Sequence, residues 1–326
     1  MKLASLKSTD RDGMLVLVNQ SLSRMKLVTD IAPNLQSALE QWSTIEADLQ
    51  KIYQALNQNQ CESLPFDPAQ IMAPLPRAFQ WLDGSAYLSH VERVRKARGV
   101  ELPVSLFHDP LMYQGASDQM LASRDPIVCA DEAWGIDFEA EIGIITDDVK
   151  SGISTCQAET HIKLLLLIND ISLRNLIPSE LAKGFGFIQG KPASAFSPVA
   201  ITPDELGNAW FDNKLHYPLQ VYWNDQLFGQ ANAGIDMHFD FAQLISHAAK
   251  TRQLTAGTLL GSGTVSNYDP DAGCSCIVEK RVREIIETGH ARTQFMRFGD
   301  TVKIEMFDAQ GQSLFGSIEQ VVQSCP

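Results

Sequence analysis

The sequence predicts a strand-rich α+β fold, with a small N-terminal domain (residues 1–75) ahead of a larger domain (residues 76–326). Three observations carry that prediction. Short runs of strand composition, such as "MLVLV" at 14–18, and segments with a period of two, such as "TVKIEM" at 301–306, recur along the chain. The strongest helical period is confined to the N-terminal region. Strands and helices do not alternate in the rhythm of βαβ units, which argues against a doubly wound parallel sheet.

Residues 1–30 read as short strands with turns at "STDRDG" and "NQSLS". From Asn34 the pattern changes: Leu35, Leu39, Trp42, Ile45, Leu49, Ile52, Tyr53 and Leu56 recur at threes and fours, marking an amphipathic helix to about Leu56. A loop follows with Pro65, Pro68, Pro74 and Pro76, and the domain boundary is expected at 72–77. Beyond it, strands are expected over 136–146, 163–170, 218–225, 257–262, 274–279, 301–306 and 313–318. A helix is expected from near Ala158 into "HIKLLLL", and another over 240–252. The chain shows neither an internal repeat nor a low-complexity segment.

The chain has 326 residues and 44% hydrophobic content, enough for a large core. Its net charge of −13 repels phosphate backbones, so nucleic acid and anionic membranes are not expected partners. An anionic substrate would need a metal or a cationic pocket. The start "MKLASLKSTDRDG" lacks the apolar core of a signal peptide, and "IKLLLLI" is too short to span a bilayer. Six cysteines are too sparse for a disulfide scaffold, so a cytoplasmic chain with free thiols is expected. Cys274 and Cys276 form a lone C-x-C, read as ordinary buried thiols. Nucleotide-binding glycine motifs, a G-x-S-x-G elbow and H-E-x-x-H are all missing.

One stretch raises a question: "GIDFEAEIGIITDDV", 135–149, sets Glu139 and Glu141 two apart within an apolar strand. Ile136, Phe138, Ala140, Ile142 and Ile144 form one face; Asp137, Glu139, Glu141 and Gly143 form the other. Taken alone, the second face reads more readily as solvated than as a site. If it is buried, the two carboxylates need a compensating proton or a hard cation with oxygen ligands.

Other residues bear on that choice. In "LLLLINDISLRNL", Asp170 and Arg174 follow a buried run, either as a cap and ion pair or as a third carboxylate ligand with an anion-facing arginine. Lys191 stands between Gly190 and Pro192 in apolar company, placed to hold a developing negative charge. "QWLDGSAYLSHVERVRKARG" carries Asp83, Tyr87 and His90, the last as a general base, and its tail "VERVRKARG" reads as a short charged helix suited to a mobile lid.

Together the segments "DGSAYLSH", "DFEAEIGII", "NDISLRN", "GKPASAFSP" and "GSGTVSN…CIVEKR", in this order, closely resemble the fumarylacetoacetate hydrolase family across essentially the whole chain. The resemblance implies a mixed β-sandwich/β-roll catalytic domain. It implies metal ligands at Asp83, Glu139, Glu141 and Asp170, and a catalytic His90 partnered by Glu279 on a strand after the Gly263–Ser266 turn. It implies catalytic and substrate-side roles for Arg174 and Lys191, and substrate contacts from Tyr113 and Thr264. The oxygen-only donor set suits Mg²⁺ or Ca²⁺, with Mn²⁺ also compatible. Asp137 is expected on the rim, and Asp147 and Asp148 are assigned no chemistry.

The implied activity is hydrolysis of a carbon–carbon bond in a small-molecule diketo acid. The first choice is 4-fumarylacetoacetate to fumarate and acetoacetate, in tyrosine and phenylalanine catabolism, by a homodimer. Alternatives are another activity of the family, such as acylpyruvate hydrolysis, 2-oxo acid decarboxylation or isomerisation, or a non-catalytic metal-binding protein. Two substrate-contacting positions depart from the pattern of members related to the mammalian enzyme: Ser85 replaces a tyrosine and Ile177 a glutamine.

Overall fold

Apolar runs too long for one wet face dominate the middle of the chain, and they fold as strands covered on both sides. The computed structural model describes residues 1–97 and 103–325. The N-terminal region holds β1 (Lys2–Leu6), β2 (Met14–Val18), β3 (Arg24–Leu27), α1 (Leu35–Glu40), α2 (Trp42–Asn57) and β4 (Leu64–Pro65). Next come β5 (Trp81–Gly84), α3 (Leu88–Ala97), β6 (Met112–Gly115), β7 (Ile127–Cys129), β8 (Ile136–Asp137), β9 (Ala140–Thr146) and α4 (Thr155–Ala158). They are followed by β10 (Ile162–Asn169), β11 (Ser172–Leu173), α5 (Ile177–Leu181), β12 (Ala195–Phe196), β13 (Ala200–Ile201), β14 (Trp210–Phe211), β15 (Lys214–Leu215), β16 (Pro218–Trp223) and β17 (Gln226–Asn232). The chain closes with α6 (Phe241–Ala248), β18 (Leu259–Gly261), α7 (Ile277–Thr288), β19 (Thr301–Met306) and β20 (Ile318–Ser324). Among the described residues, no helix is long and apolar enough to cross a membrane, and all six cysteines are free.

The strand-rich α+β class is what the structure has. Eleven strands form one sheet in the order β4-β3-β2-β1-β13-β10-β9-β18-β5-β6, with β12 also paired to β10. Five more form a second sheet, β17-β16-β19-β20-β7. The N-terminal strands thus continue the same sheet as the later ones, joined where β1 pairs β13. One face of the large sheet, with Leu3, Leu17, Ile145, Leu164 and Leu166, is covered by α1 and α2 through Leu39, Trp42, Ile45, Leu49 and Tyr53. The opposite face, with Val16, Ile142, Ile144, Leu165 and Leu167, meets the second sheet through Val221, Ile304 and Ile318, and α6 through Leu244 and Ile245. Burial on both sides explains why β10 is a near-continuous apolar run rather than an alternating one.

Several local expectations change. The predicted N-terminal helix breaks at Gln41 into α1 and α2, with Asn34 accepting from Ser37 N as the first N-cap. The helix expected from Ala158 into "HIKLLLL" stops at Ala158, and Ile162 onward is β10, because the leucines must fill both faces of a central strand. The strand expected at 274–279 is instead the approach to α7, whose Ile277, Val282 and Ile285–Ile286 recur with helical period. The strand expected at 313–318 starts only at Ile318. Helix 240–252 shortens to α6, opened by a capping box between Asp240 and Gln243. Of "VERVRKARG", α3 takes in Val91–Ala97, and the last two residues lie outside the described ones.

The sheet positions the site. β18 runs parallel to β5 and antiparallel to β9, while β10 runs antiparallel to β9. The C-terminal ends of β5, β18 and β10 and the N-terminal end of β9 therefore meet at one end of the sheet. In register, Gly261 is opposite both Asp83 and Gly143, Asp83 opposite Tyr113, and Glu141 opposite Ile168.

Candidate metal centre and active site

At that end of the sheet three acidic side chains converge. Asp83 sits in β5, Glu141 in β9, and Asp170 one residue past β10. Each can offer an oxygen such that the three lie within 4.8 Å of one another. All three are buried, and neither Glu141 nor Asp170 has exposed surface. The two glutamates therefore do not lie on a solvated strand face: both are buried, Glu141 completely. Room for the cluster comes from Gly261, where a Cβ would stand 2.4 Å from Asp83 Oδ1 and 2.9 Å from Glu141 Oε2. Gly263, at φ +74°, turns its N–H onto Asp83 Oδ1 at 3.0 Å, and a Cβ there would meet Gly84 O at 2.3 Å.

The cluster is electrically uneven. Asp170 is well served: Ser194 Oγ donates to Oδ1 at 2.7 Å, and Tyr113 OH and Lys191 Nζ donate to Oδ2 at 2.7 and 2.5 Å. Glu141 is not served: both its oxygens are buried without a hydrogen-bond donor among the described residues. Burial, then the Asp83 and Asp170 charges, pushes the Glu141 carboxyl well above the ordinary range. Burial and Asp170 push Asp83 up likewise, against the pull of Lys191. A fully buried, donor-free carboxylate beside two others fits a hard divalent cation, which takes oxygen ligands.

Glu139, in the break between β8 and β9, is held by cations. Ser172 Oγ donates to Oε1 at 2.7 Å, Lys191 Nζ to the same oxygen at 3.0 Å, and Thr264 Oγ1 to Oε2. Arg174 Nη2 lies 2.6 Å from Oε1 as an ion pair without hydrogen-bond alignment. Burial opposes its charge, but Arg174 and Lys191 outweigh burial and hold Glu139 below the ordinary range. Burial likewise disfavours the Lys191 ammonium, and Asp170 and Glu139 outweigh it to raise that group above its usual value.

Asp137 is not a rim residue. It is fully buried, accepting from Ile277 N at 2.7 Å and Val278 N at 2.9 Å at the start of α7, and from Arg174 Nε at 2.8 Å. A helix N-terminus needs such an acceptor, and strand β8 supplies it from across the fold. Arg174 is thereby turned toward Asp137 and Glu139 and is absent from the pocket lining.

Beside the carboxylates opens a pocket of about 130 Å³, lined by Asp83, Ser85, His90, Tyr113, Lys191 and Thr264 among others. A larger concavity of about 910 Å³, around Arg77, Phe79 and Met120, contains none of the predicted site residues. His90, on α3, lies with Nδ1 3.0 Å from Glu279 Oε2. Glu279 belongs to the first turn of α7, not to a strand. Its Oε1 accepts from Arg93 at 2.7 Å, Arg283 at 2.9 Å and Ser266 Oγ at 3.2 Å. Burial favours protonation of Glu279, but His90 and the two guanidinium groups outweigh it and keep the carboxyl below its ordinary range. Cys276 Sγ also approaches His90 and Glu279, yet burial drives its thiol well above the ordinary range, and the two guanidinium groups oppose a second cation there. Ser85 lines the pocket; Ile177 packs on Gly190 instead.

Sequence reasoning missed Arg93, Arg283, Ser172, Ser194 and Ser266. Spacing offered a partial signal: Arg93 is one turn after His90, and Arg283 one turn after Glu279.

Comparison with known proteins identifies the family. The family model described as fumarylacetoacetate (FAA) hydrolase C-terminal matches residues 80–323, and the one described as fumarylacetoacetase N-terminal domain 2 matches residues 1–77. A 2,4-didehydro-3-deoxy-L-rhamnonate hydrolase of Sphingomonas sp. is 28% identical over 48% of this chain and 53% of its own length. A fumarylacetoacetase of Dictyostelium discoideum is 25% identical over 60% of this chain and 56% of its own. The chain spans only about half of the length of these curated relatives. Among solved structures, a maleylpyruvate hydrolase from Sphingobium sp. SYK-6 has the same fold at a TM-score of 0.67 and 14% identity, with both chains fully covered. That enzyme has also been solved with manganese(II) and pyruvate. The 5-carboxymethyl-2-hydroxymuconate delta-isomerase of Mycobacterium smegmatis matches at a TM-score of 0.60 and 15% identity, again over both full chains. With its C-terminal match covering residues 80–323, this chain belongs to the fumarylacetoacetate hydrolase family.

Proposed function

We propose that this protein hydrolyses a carbon–carbon bond in a β-diketone acid, with 4-fumarylacetoacetate, cleaved to fumarate and acetoacetate, as the first substrate. The observation that carries this reading is the His90–Glu279 pair, 3.0 Å apart, at a pocket shared with Asp83, Glu139 and Lys191. Isolated carboxylates would serve binding alone; a histidine held by a buried carboxylate is what activation of water needs.

Asp83, Glu141 and Asp170, with Glu139 beside them, would hold one divalent cation, Mg²⁺, Mn²⁺ or Ca²⁺. The manganese and pyruvate bound by the maleylpyruvate hydrolase of like fold support that assignment. When bound, such a cation polarises diketone oxygens and stabilises enolate charge. His90 takes a proton from the attacking water as the water oxygen bonds to the acyl carbon. The carbon–carbon bond then breaks, its electron pair leaves on the methylene carbon, and His90 returns the proton to that carbon. Glu279 orients the imidazole throughout. Lys191 supplies positive charge for the developing oxyanion, and Tyr113 and Thr264 orient Asp170 and Glu139 from the pocket wall. Arg174 holds Glu139 and Asp137 in place behind the pocket.

A second reading, hydrolysis of a simpler acylpyruvate, is favoured by Ser85. This residue lines the pocket with a small side chain where members related to the mammalian enzyme carry a tyrosine. Incubation with each cation and either fumarylacetoacetate or acylpyruvates, following loss of diketone absorbance, separates the two. Faster turnover of fumarylacetoacetate supports the first reading and faster turnover of acylpyruvates the second. Failure to cleave any diketone acid with any of the three cations overturns both.

A further inference from the structure

Glu279 offers two oxygens, and the structure uses them differently. Oε1 receives three donors, Arg93 Nη1, Arg283 Nη2 and Ser266 Oγ, at 2.7, 2.9 and 3.2 Å. Oε2 faces His90 Nδ1. Arg283 lies on α7, one turn beyond Glu279, and so braces the carboxylate locally. Arg93 differs, because it shares α3 with His90 and lies three residues later, on the same helix face. One helix thus presents an imidazole and a guanidinium to the two oxygens of one buried carboxylate.

Arg93 reaches further still. Its Nη1 also donates to Ser266 Oγ at 2.9 Å, and its Nη2 to Asn267 O at 2.7 Å and Tyr268 O at 3.2 Å. The same face of α3 adds Ser89 Oγ, which donates to Ser266 O at 3.0 Å, and Tyr268 OH donates to Glu92 at 3.0 Å. Polar contacts therefore supply much of what seats the His90-bearing helix on the 266–268 segment and α7.

We propose that Arg93 is a positioning residue. By saturating Glu279 Oε1 and tying α3 to residues 266–268, it leaves Oε2 as the acceptor for His90, so that Nδ1 carries the proton and Nε2 is the free base. An ionised carboxylate oxygen only accepts, so the ring nitrogen facing it must donate. This inference rests on the proposed function for the role of Nε2, but its first test needs no substrate.

Long-range ¹H–¹⁵N correlation of [¹⁵N]His-labelled protein, with the His90 signal identified in H90Q, reads the tautomer directly. The wild type should show the Nδ1–H form alone. R93M should show a mixture, or the Nε2–H form, while its melting temperature stays within a few degrees of wild type. With a substrate that turns over, R93M should lose kcat on the order of 10²-fold with little change in KM. Millimolar guanidinium should restore part of the activity of R93A, and R93K should retain more activity than R93M. A purely structural arginine would move stability without moving the tautomer, and guanidinium would not rescue it. The proposal falls if folded R93M keeps the wild-type tautomer, or if it keeps wild-type kcat. A normal tautomer shift in a protein that cleaves no diketone acid would leave the Arg93 inference standing and remove only the proposed reaction.

Discussion

The Lys191 ammonium lies 2.5 Å from Asp170 Oδ2 and 3.0 Å from Glu139 Oε1, bridging two of the buried carboxylates and leaving Glu141 with no donor. Charge in the cluster is therefore balanced on one side only. Asp170 and Glu139 are paired with cations within the protein, while burial and the neighbouring carboxylates push the Asp83 and Glu141 carboxyls well above their ordinary range.

That imbalance sets the pH dependence of stability. Asp83 and Glu141 bind protons more tightly in the folded chain than in the unfolded one. The metal-free protein should therefore lose stability as pH rises from about 4, the unfolded carboxylate value, through their raised values. Glu279 acts in the opposite sense: its lowered value contributes stability that is present above about 4 and lost as pH falls through the folded value. Calorimetric melting across pH, with chelator and then with Mg²⁺ or Mn²⁺, checks this. The cation should raise Tm, and the gain should grow with pH over the range in which protons and cation compete.

Glu141→Gln keeps the shape and removes the charge. Its amide can donate to the acceptor oxygens of Asp83 or Asp170. The metal-free variant should gain on the order of 1–2 kcal/mol at neutral pH. The cation-induced rise in Tm should vanish. A metal-free variant no more stable than wild type would show that the Glu141 charge is not held at a cost.

His90→Ala and Glu279→Gln should lower turnover by roughly 10²- to 10⁴-fold, the range for a positioned general base. Neither residue belongs to the Asp83–Glu141–Asp170 group. Their cation-induced Tm shifts should therefore match wild type in the same titration.

Gly261→Ala places a methyl group 2.4 Å from Asp83 Oδ1 and 2.5 Å from the Trp81 ring. The overpacking should cost about 1–3 kcal/mol. It should also push Asp83 away from Glu141, so cation affinity measured by calorimetric titration should fall even where the variant is folded.

Much of the site was legible because five short motifs, in order, resemble those of one family. Of the residues at those motif positions, Asp83, Glu141 and Asp170 meet at one end of the sheet, and Asp83, Glu139 and His90 line one pocket. What was not legible depended on elements far apart in sequence. Asp137 resembled a rim residue because its strand alternates; it is buried because α7, 140 residues later, starts on its carboxylate. Glu279 was expected on a strand, yet the same cap lets the amphipathic run from Ile277 become a helix. Arg174 was expected on the substrate side, and its pairing with Asp137 and Glu139 was not foreseen.

By itself, then, the sequence determined the strand-rich α+β class and, through its family motifs, part of the polar set that gathers, without Arg93, Arg283, Ser172, Ser194 and Ser266. Period-two apolar runs and short motifs are local properties, so they can be read along the chain. Only the tertiary structure decided how those polar groups share charge: Lys191 with Glu139 and Asp170, Arg174 with Asp137, Arg93 and Arg283 with Glu279, and no donor for Glu141. Electrostatic pairing falls off over a few ångströms and is strengthened by burial, so it depends on which strands become neighbours rather than on which residues are adjacent in the chain.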